Sequence, residues 1–379
     1  MVRESWYLKK TSKSTKLRGQ DCFIPITWEE AINIVADELH RVIDEHGNSS
    51  IYAGSYGWAS AGRFHHAQSQ IHRFLNCLGG YTKSVNTYSY AAAEVILPHV
   101  IGVDAAKIMT QQTSWSSIVN NAKLMVSFGG FPTGNSQISN GGVSDHIQVD
   151  YLRQASSKGI SLISIAPRQS IVDKAEQIEW IKARPNSDTP LILGLCHTLL
   201  KESLFNIDFL KKFTVGYEKF FQYLTGQSDG VVKNADWAEQ LSGVSSYKIM
   251  SLARKMANTP TMLSITWSLT RQENGEQAYW AVIALAAMLG QMGKPGLGVG
   301  FGYTVSNYLG NNVRRLPFEA LPQGKNKVDN FIPVARLTDM LLNPGKSYDF
   351  NGEKMIYPKI ELIYWAGGNP CHHHQDLNR

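Results

Sequence analysis

The chain reads as α/β, built from two doubly wound, mainly parallel α/β domains. Three observations predict this. Continuous apolar runs, AKLMVSFGG at 122–130, ISLISIAP at 160–167 and TMLSITW at 261–267, have the composition of strands that parallel sheets bury on both faces. Between such runs lie segments whose apolar residues recur at helical spacing. Glycines then stop those segments, as Gly47 and Gly79-Gly80 do.

The elements follow in order. Thr27-Trp28-Glu29-Glu30 is a capping box, and Trp28, Ala31, Ile32, Val35, Leu39, Val42 and Ile43 form one helical stripe behind it. Ile51-Tyr52-Ala53 is a short buried strand, and Phe64, Ala67, Ile71, Phe74, Leu75 and Leu78 form a second stripe. A third helix follows Ser89, ahead of the strand at 122–130. A helix near Ser144–Ser157, the strand at 160–167, IEWIKARP, a helix from Pro190 to Leu200, the strand at 261–267 and a helix from Gln277 to Leu289 continue the alternation. The turn Gly130-Phe131-Pro132 interrupts it, so residues 1–28 read as a lead-in segment, 29–130 as a first α/β domain and 131–379 as a second. Gly302–Asp329, rich in Gly, Asn and Pro, reads as a surface excursion.

Composition narrows the function. At 379 residues, with 43% hydrophobic and 18% charged, the chain has material for two globular domains. Its net charge of +6 is not gathered into a Lys/Arg run, which argues against a nucleic-acid partner. Cys22, Cys77, Cys196 and Cys371 stand far apart, so this chain encodes no Fe–S cluster and no zinc knuckle. No apolar run reaches the length of a membrane span. The start, MVRESWYLKKTSKSTKLRGQD, lacks the apolar core of a signal peptide.

Polar residues at strand ends are the candidates for chemistry, because ligands of open α/β sheets bind there. Ser55-Tyr56-Gly57-Trp58 supplies a phenol O–H and an indole N–H on rigid rings. Ser89 supplies a hydroxyl that becomes an alkoxide only beside a strongly acidic metal. Two donors and one oxygen ligand suit a site that handles an oxo group. Each has a plainer reading: Ser89 as a helix N-cap, Tyr56 and Trp58 as core aromatics. Arg271, after Trp267-Ser268, is either a surface ion-pair partner or a donor to phosphate or substrate oxygen. Asn186-Ser187-Asp188 suits a helix cap. Three consecutive histidines, His372-His373-His374, point in three directions and cannot share one ion, so a polar loop is the default.

The stretches GSYGWASAGRFHHAQSQIHRFLNCLGGYT, TYSYAAAEVILPHVIG, QQTSW, TWSLTRQENGEQAYW, SNYLGNN and WAGGNPCHHHQDLNR closely resemble the dimethyl sulfoxide, trimethylamine N-oxide and biotin sulfoxide reductases. These are bis(molybdopterin guanine dinucleotide) enzymes with a serine ligand to molybdenum. The likeness runs from Met1 to Arg379. It implies that Ser89 ligates the metal, that Tyr56 and Trp58 donate to the oxo or substrate oxygen, and that Arg271 lies in the substrate funnel. It implies a guanine held at Asn186, Ser187 and Asp188, with Trp267, Ser268 and Arg271 against the pterin and Gly57 among the cofactor contacts. Phosphate is expected at Gly134 and Asn135, ribose at Ile165 and Ala166, and further cofactor contacts at Asn369 and His373. At Ala166 the family carries an acidic or amide residue, leaving backbone groups for that contact here. Around the ligand the family carries an acidic residue before Tyr-Ser and a small one after, where this chain has Thr87 and Tyr90.

The resemblance implies oxygen-atom transfer from an S-oxide or N-oxide (dimethyl sulfoxide, trimethylamine N-oxide, biotin or methionine sulfoxide) to molybdenum. Electrons would come from an external donor, a multihaem c-type cytochrome for a periplasmic protein or a cytosolic reductant for a cytoplasmic one. An export signal would lie upstream. Formate dehydrogenases and nitrate reductases carry cysteine, selenocysteine or aspartate at the ligand position, and a nucleotide-binding dehydrogenase would want G-x-G-x-x-G where GSYGWASAG stands. The resemblance also implies that a C-terminal barrel domain is missing from this chain. The alternative function is therefore a truncated, inactive cofactor-binding fragment, poorly soluble or cofactor-free.

Overall fold

A computed structural model of the chain describes residues 1–9, 19–54, 66–139, 145–311 and 319–367. Internal contacts divide it into two units, one of Met1–Val85 with Ala320–Arg379 and one of Asn86–Glu319.

In the first unit the capping box forms as expected. The Thr27 hydroxyl accepts from the Glu30 amide and the Glu30 carboxylate accepts from the Thr27 amide, opening the helix Trp28–His46. Its apolar stripe is only half used. Leu39 and Val42 are buried with Ile51, Ile71, Leu75 and Tyr81, whereas Trp28 is 85% exposed and Ile32 and Val35 stay at the surface. The core of this unit meets only the carboxyl half of the helix. The strand Ile51–Gly54 pairs in parallel with Leu362–Trp365, and Lys83–Val85 pairs in parallel with Phe331–Pro333. A parallel bridge from Tyr52 to Thr82 links the two pairs. Ser347–Phe350 and Glu353–Ile356 add an antiparallel hairpin.

The second unit carries five parallel strands in the spatial order Glu179–Lys182, Ser161–Ala166, Leu124–Phe128, Thr261–Ile265, Gly298–Phe301. The chain starts in the middle, winds outward one way, then returns and winds out the other way. Connections leaving Leu124–Phe128 and Thr261–Ile265 therefore diverge, and a crevice opens outside their carboxyl ends. The two central strands are buried along their whole length, as continuous apolar runs require.

Two helices complete the core, Asp188–Lys201 and Gly275–Leu289, both buried around most of their circumference. The first is covered by the helices Ala235–Ser242 and Ser246–Ala257, whose Ala238, Ile249, Leu252 and Ala253 join its cluster. Gly194 makes that approach possible, since a Cβ there would fall 2.6 Å from the Ala238 Cβ.

The surface excursion expected at Gly302–Asp329 is corrected at its start. Tyr303, Thr304, Ser306, Asn307 and Leu309 are buried in the second unit. The Gln148 carboxamide explains how so polar a stretch can go inside. It donates to the carbonyls of Asn307 (2.9 Å) and Leu309 (2.8 Å) and accepts from the Trp115 indole at 2.7 Å. Each satisfied group removes the penalty of burying it bare. Residues 320–329 belong to the first unit, where Asn326 donates to the Tyr81 carbonyl at 2.9 Å.

Candidate functional site

Ser89 lies in the turn before the helix Ala91–Ile101, in the second unit. The N-cap reading does not hold, because Tyr90 occupies the cap position, and its side chain makes no capping hydrogen bond. The turn is fixed from three sides. Asn86 takes a left-handed φ of 66°, and the Glu94 carboxylate accepts from the Thr87 amide at 3.1 Å. The Thr87 hydroxyl oxygen accepts from the Ser89 amide at 3.2 Å. The Thr270 hydroxyl reaches the Ser89 carbonyl at 3.5 Å. Burial pushes the Glu94 carboxyl up, against the hydrogen bonds from Asn86 and Thr87.

Thr270 belongs to the short 3₁₀ turn Trp267–Arg271, which follows the strand Thr261–Ile265 at the crevice. Trp267 is 4% exposed and its indole N–H is buried without a hydrogen-bond partner among the described residues. The ring presses on Gly302, where φ is +81° and a Cβ would fall 2.3 Å from the indole nitrogen. Ser268 shares a hydrogen bond with the Thr266 hydroxyl at 2.7 Å. Arg271 is exposed and forms no ion pair or hydrogen bond among the described residues, so the surface ion pair is absent there. The fold thus brings Ser89 to the Trp267–Arg271 turn.

At the carboxyl end of the outer strand Glu179–Lys182 stands Asn186-Ser187-Asp188. The expected cap is not made. The Ser187 hydroxyl donates back to the Arg184 carbonyl at 2.7 Å, and the helix starts at Asp188 with no side-chain cap. Asn186 has a left-handed φ of 60°. Asp188 is 8% exposed, has no ion pair among the described residues, and burial pushes its carboxyl up to about 6 despite its own amide. Such a carboxylate asks for a donor.

Ile165 and Ala166 end the strand Ser161–Ala166, and both side chains are buried. Backbone groups expected to be available there are largely engaged. The Ile165 carbonyl accepts from the Gly129 amide at 2.8 Å, and the Ala166 carbonyl accepts from the Trp180 indole at 2.9 Å. Gly134 and Asn135 form an exposed turn beyond the central strand, with open space at the glycine. Tyr56, Gly57, Trp58, Asn369 and His373 lie outside the described residues.

Two residues of this constellation escape the sequence reading, Glu94 and Thr270. Glu94 leaves one signal, as the only acidic residue in the apolar helix Ala91–Ile101.

The family model described as molybdopterin oxidoreductase matches residues 1–379. The chain belongs to that family. A biotin sulfoxide reductase of Cereibacter sphaeroides is 42% identical over 100% of this chain and 51% of its own length. A trimethylamine-N-oxide reductase of Haemophilus influenzae is 38% identical over 100% of this chain and 47% of its own length. A dimethyl sulfoxide/trimethylamine N-oxide reductase of Cereibacter sphaeroides is 39% identical, again over 100% of this chain and 47% of its own length. This molybdopterin oxidoreductase chain therefore spans about half the length of the curated relatives it matches. The family implies a molybdenum–pterin cofactor. No helix among the described residues is long and apolar enough to cross a membrane.

Proposed function

We propose that the complete protein reduces an S-oxide or an N-oxide, with dimethyl sulfoxide, trimethylamine N-oxide, biotin sulfoxide and methionine sulfoxide as the substrates to test. One observation carries this reading: Ser89 and the Trp267–Arg271 turn, 181 residues apart at their Thr270 contact, meet beside the crevice. Relatives named for these oxides support the choice of substrate.

The residues present fit the implied cofactor, in the form of a bis(molybdopterin guanine dinucleotide). Asp188 is a buried carboxylate able to accept from a guanine ring N–H and amine together, with Asn186 and Ser187 shaping the turn. Arg271 is an exposed guanidinium with no ion pair or hydrogen bond among the described residues, suited to a phosphate or substrate oxygen. Trp267 holds an unused N–H, and Ser268 lies beside it. Gly134 and Asn135 offer an open turn for phosphate, and Ile165 and Ala166 close the strand end where ribose would lie. Ser89 supplies the protein's oxygen ligand in this reading. Gly57 and the side chains of Asn369 and His373 would add contacts.

When bound, the cofactor supplies the acceptance of the oxygen atom and the passage of two electrons. The balance is R₂S=O or R₃N=O, two electrons and two protons giving the sulfide or amine and water. The protein orients the oxide and offers donors to its oxygen, the role proposed for Tyr56, Trp58 and Arg271. A multihaem c-type cytochrome in the periplasm, or a cytosolic reductant, would deliver the electrons.

Metal and pterin analysis of the complete protein, with benzyl viologen oxidation by the four oxides, tests the proposal. Molybdenum near one equivalent and turnover of at least one oxide is expected. A protein that binds molybdenum yet turns over none of them would overturn the proposal.

A further inference from the structure

We infer that Glu94 is a positioning residue, holding the Ser89 turn in its ready-made form through hydrogen bonds from Thr87 and Asn86. The inference rests on the reading of Ser89 as the metal ligand.

Asn86 takes a left-handed φ of 66°, a region that asparagine enters more readily than other non-glycine residues and that a partner for its side chain helps to fix. Glu94 supplies such a partner. Its carboxylate accepts from the Thr87 amide at 3.1 Å and from the Asn86 side chain. Thr87 passes the constraint on, because its hydroxyl oxygen accepts from the Ser89 amide at 3.2 Å. Beyond Ser89, the Thr270 hydroxyl meets the Ser89 carbonyl at 3.5 Å. The result is a relay of contacts, Glu94 to Thr87 to Ser89 to Thr270. With Thr87 in the place before Tyr88-Ser89, the acid that braces the turn reaches back from the first turn of the following helix.

A plainer role competes. A carboxylate in the first turn of a helix interacts favourably with the helix dipole wherever its oxygens point. The two roles separate by chemistry. Glutamine keeps an oxygen that can accept from the Thr87 amide but loses the charge; alanine loses both. A dipole role makes Glu94→Gln and Glu94→Ala equivalent, whereas bracing makes glutamine a rescue.

In the complete protein, the two variants are compared by amide hydrogen exchange of the peptide over residues 86–90 without added molybdate. Glu94→Ala is expected to speed exchange there by roughly tenfold, and Glu94→Gln to stay near wild type, as the loss or retention of one hydrogen bond requires. The peptide over residues 124–128 should be unchanged in both. Equal exchange in the two variants, or wild-type exchange in Glu94→Ala, overturns the inference. Should Glu94→Ala unfold the 124–128 strand, Thr87→Val tests the next link: it must speed exchange of the Ser89 amide with the helix charge intact, and failure to do so overturns the inference. The Mo(V) electron paramagnetic resonance signal of the loaded protein separates the two readings. A signal altered by Ser89→Ala and by Glu94→Ala, and restored in Glu94→Gln, supports both. A signal altered by Ser89→Ala alone overturns the positioning role, and one altered by neither overturns the ligand reading.

Discussion

Tyr90 lies against Trp267 with ring centroids 4.7 Å apart and planes inclined at 51°. One ring follows the Ser89 turn and the other opens the Trp267–Arg271 turn, so this contact locks the two candidate segments together. Tilted aromatic pairs contribute about 1 kcal/mol beyond the area they bury. A double-mutant cycle of Tyr90→Leu and Trp267→Leu, read by urea unfolding, should give a coupling of about 1 kcal/mol. A coupling near zero would mean the rings only touch.

Asp188 makes stability depend on pH. Burial raises its folded pKa from 3.8 to about 6, so the native state holds its proton more tightly than the unfolded chain. The associated stability is fully present below pH 3.8 and is lost as pH rises through about 6. Asp188→Asn removes this dependence. In the absence of guanine nucleotide, the variant should gain stability over wild type between pH 4 and pH 7, by roughly 2 to 3 kcal/mol. Unfolding curves at the two pH values decide it, and an unchanged difference would contradict the buried, unpaired carboxylate.

Gly302 allows the Trp267 ring to sit where it does. Its φ of +81° disfavours a side chain, and a Cβ there would fall 2.3 Å from the indole nitrogen. Gly302→Ala should cost on the order of 2 kcal/mol or more, from overpacking and backbone strain together. Thermal melting is the readout, and an unshifted midpoint would place the ring elsewhere.

Gln148 is the polar bolt of the buried Gly302–Gly310 stretch. Gln148→Leu keeps similar bulk but strands the Trp115 indole and the carbonyls of Asn307 and Leu309. The loss should be on the order of 3 kcal/mol, the penalty for leaving buried groups unmade. A variant as stable as wild type would show that this stretch is not inside.

Legibility followed the range of the forces. The strands Leu124–Phe128, Ser161–Ala166 and Thr261–Ile265 were readable because a strand buried on both faces must be apolar throughout. Trp28, Ile32 and Val35 misled, since helical spacing says which residues share a face and not how far the core extends under it. Tyr303–Leu309 misled the other way: its composition suits a loop, and only Gln148, far off in sequence, makes burial affordable. The parallel pairing of Lys83–Val85 with Phe331–Pro333 has no local signature at all. At the site, Ser89 and Arg271 stood out by their neighbours in sequence. Thr270 and Glu94 did not, because a hydroxyl or carboxylate becomes informative only once the fold sets it against a partner.

Ser89 is the centre of the account, and X-ray absorption at the molybdenum edge tests it most directly. In the complete, loaded protein, Ser89→Ala should remove one oxygen ligand from the metal shell and abolish oxide reduction. Its melting temperature without cofactor should stay close to wild type, because Tyr90 and not Ser89 occupies the cap position of the following helix. An unchanged metal shell with full turnover in Ser89→Ala would contradict the account.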